Sequence, residues 1–86
     1  MMLAAKVELN RWKQRFWIGK ITEKMEDFVA VRWYDARNEF GIYREHESTG
    51  KVPYASILIC FGCLTLRRTI PDVVKEIIKQ RLMSSK

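Results

Sequence analysis

The sequence predicts a mostly β protein in which about five short antiparallel strands are followed by a C-terminal α-helix. Apolar and polar residues alternate in several short segments, and charged or glycine-containing breaks separate those segments. Apolar residues recur at helical spacing near the C-terminus. No repeat or linker interrupts the 86 residues, so we expect a single domain, residues 1–86, with the strands in about 6–66 and the helix in about 70–83.

The second predicted strand, residues 16–23, carries Trp17, Gly19 and Ile21 on one face. A glycine inside a strand indicates a sharp bend or the close approach of another group. The third strand, residues 28–34, has one face without charge, which should therefore be the core face. From these faces and the last strand we expect five buried side chains: Ile21, Val29, Val31, Trp33 and Ile57.

The remaining strands are predicted at residues 6–12, 40–45 and 57–64. Residues 46–50 have the composition of a turn. Residues 51–56 contain Pro53, which cannot donate a ladder hydrogen bond, so this segment is expected at a sheet edge or in a single helical turn.

The predicted helix covers about residues 71–82, with Thr69 as its cap and Pro71 in its first turn. Its apolar residues recur at helical spacing: Ile70, Val73, Val74, Ile77, Ile78 and Leu82. We expect this stripe to pack against the sheet, with Val74, Ile77 and Ile78 protected.

The sequence carries no recognisable catalytic or metal-binding set. A structural zinc site needs four ligands, whereas Cys60 and Cys63 have His46 as their one further candidate. Because both cysteines lie in an apolar segment, we expect two buried, free thiols. His46 lies in a polar segment without a partner nucleophile. We therefore expect a non-enzymatic protein without metal or cofactor.

Short, bent strands and a terminal helix fit a small SH3-like barrel. Residues 17–21 have the order aromatic, any, small, any, aliphatic, and residues 29–34 form an aliphatic strand that ends in aromatics. These segments resemble Tudor and chromo-barrel domains. Residues 52–58 resemble the short turn that precedes the last strand of such barrels. The resemblance covers about residues 7–63.

The resemblance implies a binding module that holds methylated lysine or arginine in a cage of aromatic rings, beside an acid. The candidate cage residues are Trp12, Trp17, Tyr34, Phe40 and Tyr43, with Asp35 or Glu39 as the acid. Trp33 occupies an equivalent place but is expected mainly in the core. Two features depart from the family pattern: residues 35–39 lack an aromatic, and residues 46–51 look like an insertion. Packing in the core is the alternative role for each ring.

The charge pattern favours a second class of ligand. The net charge is +6, but residues 1–20 carry +4 and residues 51–86 carry +5, whereas residues 21–50 carry −3. Basic groups interleaved with aromatics can bind phosphates while bases stack on the rings. The candidate nucleic-acid residues are Lys13, Arg15, Lys20, Arg67 and Arg68. An ordinary soluble surface is the alternative, since this net charge lies in the usual range.

Three hypotheses about function remain open at the level of the sequence. The first is a Tudor- or chromo-like module that binds a methylated or unmodified peptide, such as a histone-type tail, in chromatin or RNA silencing. The second is a basic SH3-like domain that binds DNA or RNA, similar to integrase C-terminal domains. The third is an interaction module that docks on a larger complex through its helix. No apolar run approaches the roughly 20 residues that span a bilayer, and we expect an intracellular, nuclear location without a membrane partner.

Overall fold

The computed structural model describes residues 1–7, 15–38 and 40–84. Its elements are β1 (Met2–Lys6), β2 (Phe16–Lys24), β3 (Phe28–Asp35), β4 (Arg44–Pro53), a 3₁₀ turn (Tyr54–Ser56), β5 (Ile57–Phe61) and α1 (Asp72–Ser84). The strands form one antiparallel sheet in the order β4-β3-β2-β1-β5. The predicted fold, mostly β with five antiparallel strands and a C-terminal helix, is confirmed.

Irregular pairing curves the sheet. The register shifts between Ala4 and Ala5 in β1, between Ile21 and Glu23 in β2, and next to Tyr34 in β3. Such bulges bend a strand and increase its twist. The 3₁₀ turn joins the two edge strands β4 and β5. For residues 51–56 a sheet edge or a single helical turn was predicted, and the segment contains both, since residues 51–53 end the edge strand β4.

The first strand lies earlier in the chain than predicted. Strand β1 is Met2–Lys6, whereas the sequence favoured residues 6–12, of which residues 8–12 lie outside the described part of the chain. Strand β1 lies between β2 and β5, and its residues 2–5 are buried on both faces, whereas Lys6 is exposed. A strand that is buried on both sides shows no alternation of apolar and polar residues, which explains why the pattern missed it.

The fourth strand also differs from the prediction. It is Arg44–Pro53, so residues 46–50 continue a strand and do not form a turn. Residues 44–49 are exposed at the sheet edge, where polar side chains are tolerated because they do not face a core. A strand was predicted at residues 40–45. Residues 40–43 are irregular, whereas Arg44 and Glu45 belong to β4. There the backbone N–H of Tyr43 donates to the carbonyl of Arg68 at 2.7 Å.

Two apolar clusters cover the two faces of the sheet. The helix-side cluster is built around Ala4, Phe16 and Ile18 of the sheet, and α1 adds Val74 and Ile78. The packing of the predicted helical stripe against the sheet is thereby confirmed for these two residues, while Ile77 is half-buried and Val73 points to solvent.

The second cluster lies on the opposite face of the sheet. Its buried members are Leu3, Ala5, Val29, Val31 and Val52. Val29 and Val31 are buried as predicted. Ile21, Trp33 and Ile57 are half-buried and pack against this cluster. No helix in the described part of the chain is long and apolar enough to cross a membrane.

Candidate ligand-binding site

The indole of Trp33 lies against Gly19 of β2 and Gly50 of β4 because the two glycines leave room for it. A Cβ added at Gly50 would lie 2.5 Å from Nε1 of Trp33, and one added at Gly19 would lie 3.2 Å from Cε3. Gly19 and Trp33 are direct partners in the β2–β3 pairing. A glycine inside a strand indicates that another group approaches its backbone closely, and at Gly19 this group is the indole of Trp33.

Trp17 meets Trp33 edge to face. The ring centroids are 5.4 Å apart and the ring planes cross at 80°. Trp17 is half-buried, and its Nε1 is fully buried without an acceptor among the described residues. Because the polar edge of this indole points inward, the part that reaches the surface is apolar. The two indoles form two nearly perpendicular apolar walls.

These walls belong to an open hollow of about 1030 Å³ at one end of the sheet, which we call the aromatic hollow. The end of β3, the start of β4 and the segment between them form the rest of its lining. The lining residues are Trp17, Trp33, Tyr34, Asp35, Ala36, Arg37, Asn38, Gly41, Ile42, Arg44, His46 and Ser48. The hollow thus combines two indoles, one phenol, one imidazole, one carboxylate and two guanidinium groups.

The structure brings some of the predicted cage residues together and separates others. Trp17, Tyr34 and Asp35 line the aromatic hollow. Tyr43 was a candidate ring, but it is 3% exposed and belongs to the helix-side cluster, because the irregular segment before β4 folds inward. Trp12 and Glu39 lie outside the described residues.

Phe40, another predicted cage ring, lies outside the lining of the aromatic hollow. Its ring packs on Phe16 with centroids 5.5 Å apart, at an interplanar angle of 56°. The Nζ atoms of Lys75 and Lys79 lie 5.9 and 5.2 Å from its centroid. Phe40 therefore helps to attach α1 to the sheet, a role that the cage prediction did not include.

The predicted basic residues also separate. Lys20 and Arg68 line a second, smaller hollow of about 450 Å³, which we call the basic hollow, together with Met1, Met2, Tyr34, Glu45, Gly62, Cys63 and Leu64. Arg67 is exposed beside it without lining it. Arg15 is exposed next to the start of β2, and Lys13 lies outside the described residues.

Several lining residues were not among the sequence candidates. Trp33 was assigned mainly to the core, and Arg37, Arg44 and His46 were not assigned to a site. A correct β4 would have revealed two of them, since Arg44 and His46 alternate on one face of that strand beside Asp35. The turn-like composition of residues 46–50 concealed this strand.

The two thiols differ from the sequence prediction. Cys60 and Cys63 are free, as predicted, but both are exposed. Strand β5 is an edge strand that ends at Phe61. Cys63 therefore follows the last residue of the strand, and Cys60 lies on a strand that is paired on one side only. Within the described residues, no three His, Cys, Asp or Glu side chains cluster as metal ligands would.

Comparisons of the chain with protein-family models, with curated proteins and with solved structures give no significant match. The site geometry is therefore the basis for the function proposed below.

Proposed function

We propose that this protein is a non-enzymatic binding module whose aromatic hollow holds the methylated ammonium or guanidinium group of a lysine or arginine side chain. The observation that carries the proposal is the edge-to-face pair of Trp17 and Trp33, with Tyr34 and Asp35 in the same hollow. The resemblance to Tudor and chromo-barrel domains supports the same ligand class. It also suggests a histone-type tail as the partner and a nuclear setting.

The chemistry of such a ligand fits the apolar walls. Methylation removes N–H donors from the cation and spreads its charge, so that ring faces can replace water around it. A cation held against an aromatic face gains about 0.5–2 kcal/mol, with the larger values where water is excluded. Trp17 offers an apolar surface because its Nε1 is buried. The carboxylate of Asp35 adds an attractive charge at the same end of the sheet.

Single-stranded nucleic acid is the second candidate ligand, and one observation favours it. Arg37 and Arg44 line the aromatic hollow beside the indoles. Arginine attracts phosphate, and bases of any sequence stack on indole rings, with about 1–3 kcal/mol per stacked base. The same two arginines would repel a cationic side chain, so the balance between Asp35 and the arginines decides between the two ligands.

A fluorescence titration separates the candidates. Indole emission is recorded while the protein is titrated with a trimethyl-lysine peptide, with the same peptide unmodified, and with a single-stranded oligonucleotide at several salt concentrations. The proposal expects saturable quenching by the methylated peptide and much weaker binding of the unmodified one. Equal binding of both peptides, together with oligonucleotide binding that loses about 0.7 log units of affinity per phosphate contact for each tenfold rise in salt, would establish the second candidate instead.

A further inference from the structure

The basic hollow brings together two cationic side chains from distant parts of the chain. Lys20 lies on β2, and Arg68 lies in the segment that joins β5 to α1. Tyr34 adds a hydroxyl-bearing ring, and Glu45 supplies the one carboxylate of the lining. Because two separate elements converge on this point, the hollow is a feature of the fold and not of a local basic run.

The two cations have no ion-pair partner within the described part of the chain. The carboxylate of Glu45 is engaged by Arg32, with Nη1 and Oε1 3.2 Å apart. Lys20 and Arg68 therefore share the hollow with one carboxylate, which is already paired with Arg32. Two like charges that face the same space favour the binding of an anion between them.

The backbone at Arg68 supplies a second observation. Its φ is 62°, the single left-handed value among the described residues that are not glycine. The conformation is held from both sides, since the N–H of Arg68 donates to the carbonyl of Thr65 at 2.8 Å and its own carbonyl accepts from Tyr43 at 2.7 Å. Glycine adopts this conformation without steric cost, whereas arginine does not. Strained positions of this kind cluster at ligand-binding sites.

The segment around Arg68 is also fixed in place. The hydroxyls of Thr65 and Thr69 lie 2.7 Å apart, and the N–H of Thr65 donates to the carbonyl of Thr69 at 2.9 Å. These contacts close a tight turn, so that the backbone at Arg68 is held by hydrogen bonds. A backbone that is already ordered reduces the conformational entropy lost on binding.

We propose that the basic hollow binds a single oxyanion, the phosphoryl group of a phosphorylated serine or threonine side chain in a peptide. The guanidinium of Arg68 can donate two parallel hydrogen bonds to phosphate, and Lys20 adds a point charge. Glu45 in the lining disfavours an extended polyanion such as nucleic acid, whereas Lys20 and Arg68 can hold one anionic group. The proposal does not depend on methyl-ammonium binding, because the two hollows share Tyr34 and no other lining residue.

Matched variants test this site. The affinity of a fluorescein-labelled phosphoserine peptide, otherwise uncharged, is measured by anisotropy and compared with that of its unphosphorylated form. The phosphate should strengthen binding about tenfold. Lys20→Ala and Arg68→Gly should remove most of that gain. Lys24→Ala on the same strand and Arg67→Ala beside Arg68 remove the same charge outside the hollow, and should retain the gain.

The stability of Arg68→Gly separates a binding role from a structural one. Because glycine relieves the left-handed strain, the melting temperature should stay equal or rise while the phosphate-dependent affinity falls. Four results would overturn the proposal: no effect of the phosphate, equal losses in the control variants, a lower melting temperature for Arg68→Gly, or tighter binding of a single-stranded oligonucleotide than of the phosphopeptide. The last result would assign the hollow to nucleic acid.

Discussion

Trp33 lies so close to Gly50 that a methyl group on the glycine would stand 2.5 Å from the indole Nε1 and 3.0 Å from Cε2. Real side chains do not approach so closely, and a rigid indole cannot bend away as a flexible side chain would. Gly50 on β4 therefore sets the position of Trp33 on the neighbouring strand β3, and Trp33 is one wall of the aromatic hollow.

Gly50→Ala should displace Trp33 and destabilise the protein by about 1–3 kcal/mol, the usual cost of overpacking. Denaturant unfolding followed by indole fluorescence measures this free energy, and the native emission spectrum should also shift. Gly62→Ala is the control, because a Cβ there meets no atom within 4 Å and the residue has no positive φ. Its free energy of unfolding should change by less than about 0.5 kcal/mol. An unaltered stability of Gly50→Ala would show that Trp33 is not held as described.

Two valines offer a matched test of the second cluster. Val31 on β3 is 1% exposed, whereas Val73 on α1 is 73% exposed. Val31→Ala should cost about 1–3 kcal/mol through lost burial and a residual cavity. Val73→Ala should leave stability unchanged or raise it by a few tenths of a kcal/mol, since alanine favours helix more than valine does. Urea unfolding of both variants checks the difference, and equal costs would contradict the assignment of faces.

The attachment of α1 depends on side chains that face the sheet. Ile78 is fully buried in the helix-side cluster, whereas Met83 on the same helix is 76% exposed. Ile78→Ala should destabilise the protein by about 2–5 kcal/mol, and Met83→Ala by less than about 0.5 kcal/mol. Thermal unfolding followed by circular dichroism measures both. A melting temperature unaffected by Ile78→Ala would mean that the helix does not stabilise the sheet and is available for docking.

Much of the architecture could be predicted because β2, β3 and α1 obey simple periodic patterns. The two misplaced strands, β1 and β4, differ in opposite ways from a half-buried strand, since β1 is almost fully buried and most of β4 is exposed. Strand β1 is apolar on both faces, and the exposed part of β4 is polar on both, so neither alternates. Strand position within a sheet depends on pairing between distant segments, which a local pattern does not contain.

Part of the aromatic hollow could be predicted because sequence patterns located β2 and β3 correctly. Trp17, Tyr34 and Asp35 lie on or next to correctly predicted strands, and the structure places them in one hollow. Tyr43 was misjudged because its side chain packs in the helix-side cluster, where its neighbours come from distant parts of the sequence. Its backbone N–H also donates to the carbonyl of Arg68, which is 25 residues later in the sequence. The exposure of Cys60 follows from the edge position of β5, which the apolar sequence around it does not reveal.

A substitution at Phe40 tests whether its ring has a structural role or binds a ligand. Phe40→Leu keeps most of the volume but removes the ring contact with Phe16 and the cation–π contacts of Lys75 and Lys79. It should cost about 1 kcal/mol of stability. The affinity for a trimethyl-lysine peptide should not change, whereas Tyr34→Ala should abolish it while the domain stays folded. Isothermal titration calorimetry of both variants checks the contrast, and a loss of affinity in Phe40→Leu would extend the site beyond the aromatic hollow.

The most direct test of the aromatic hollow compares two peptides of the same shape. One carries trimethyl-lysine, and in the other the quaternary nitrogen is replaced by carbon, which removes the charge and keeps the volume. If Trp17 and Trp33 bind the cation through their ring faces, the charged peptide should bind more tightly by about 0.5–2 kcal/mol, or roughly 2- to 30-fold. Calorimetry of the two peptides gives this ratio. Equal affinity, or tighter binding of the neutral peptide, would contradict the proposal that the hollow recognises a methylated cation.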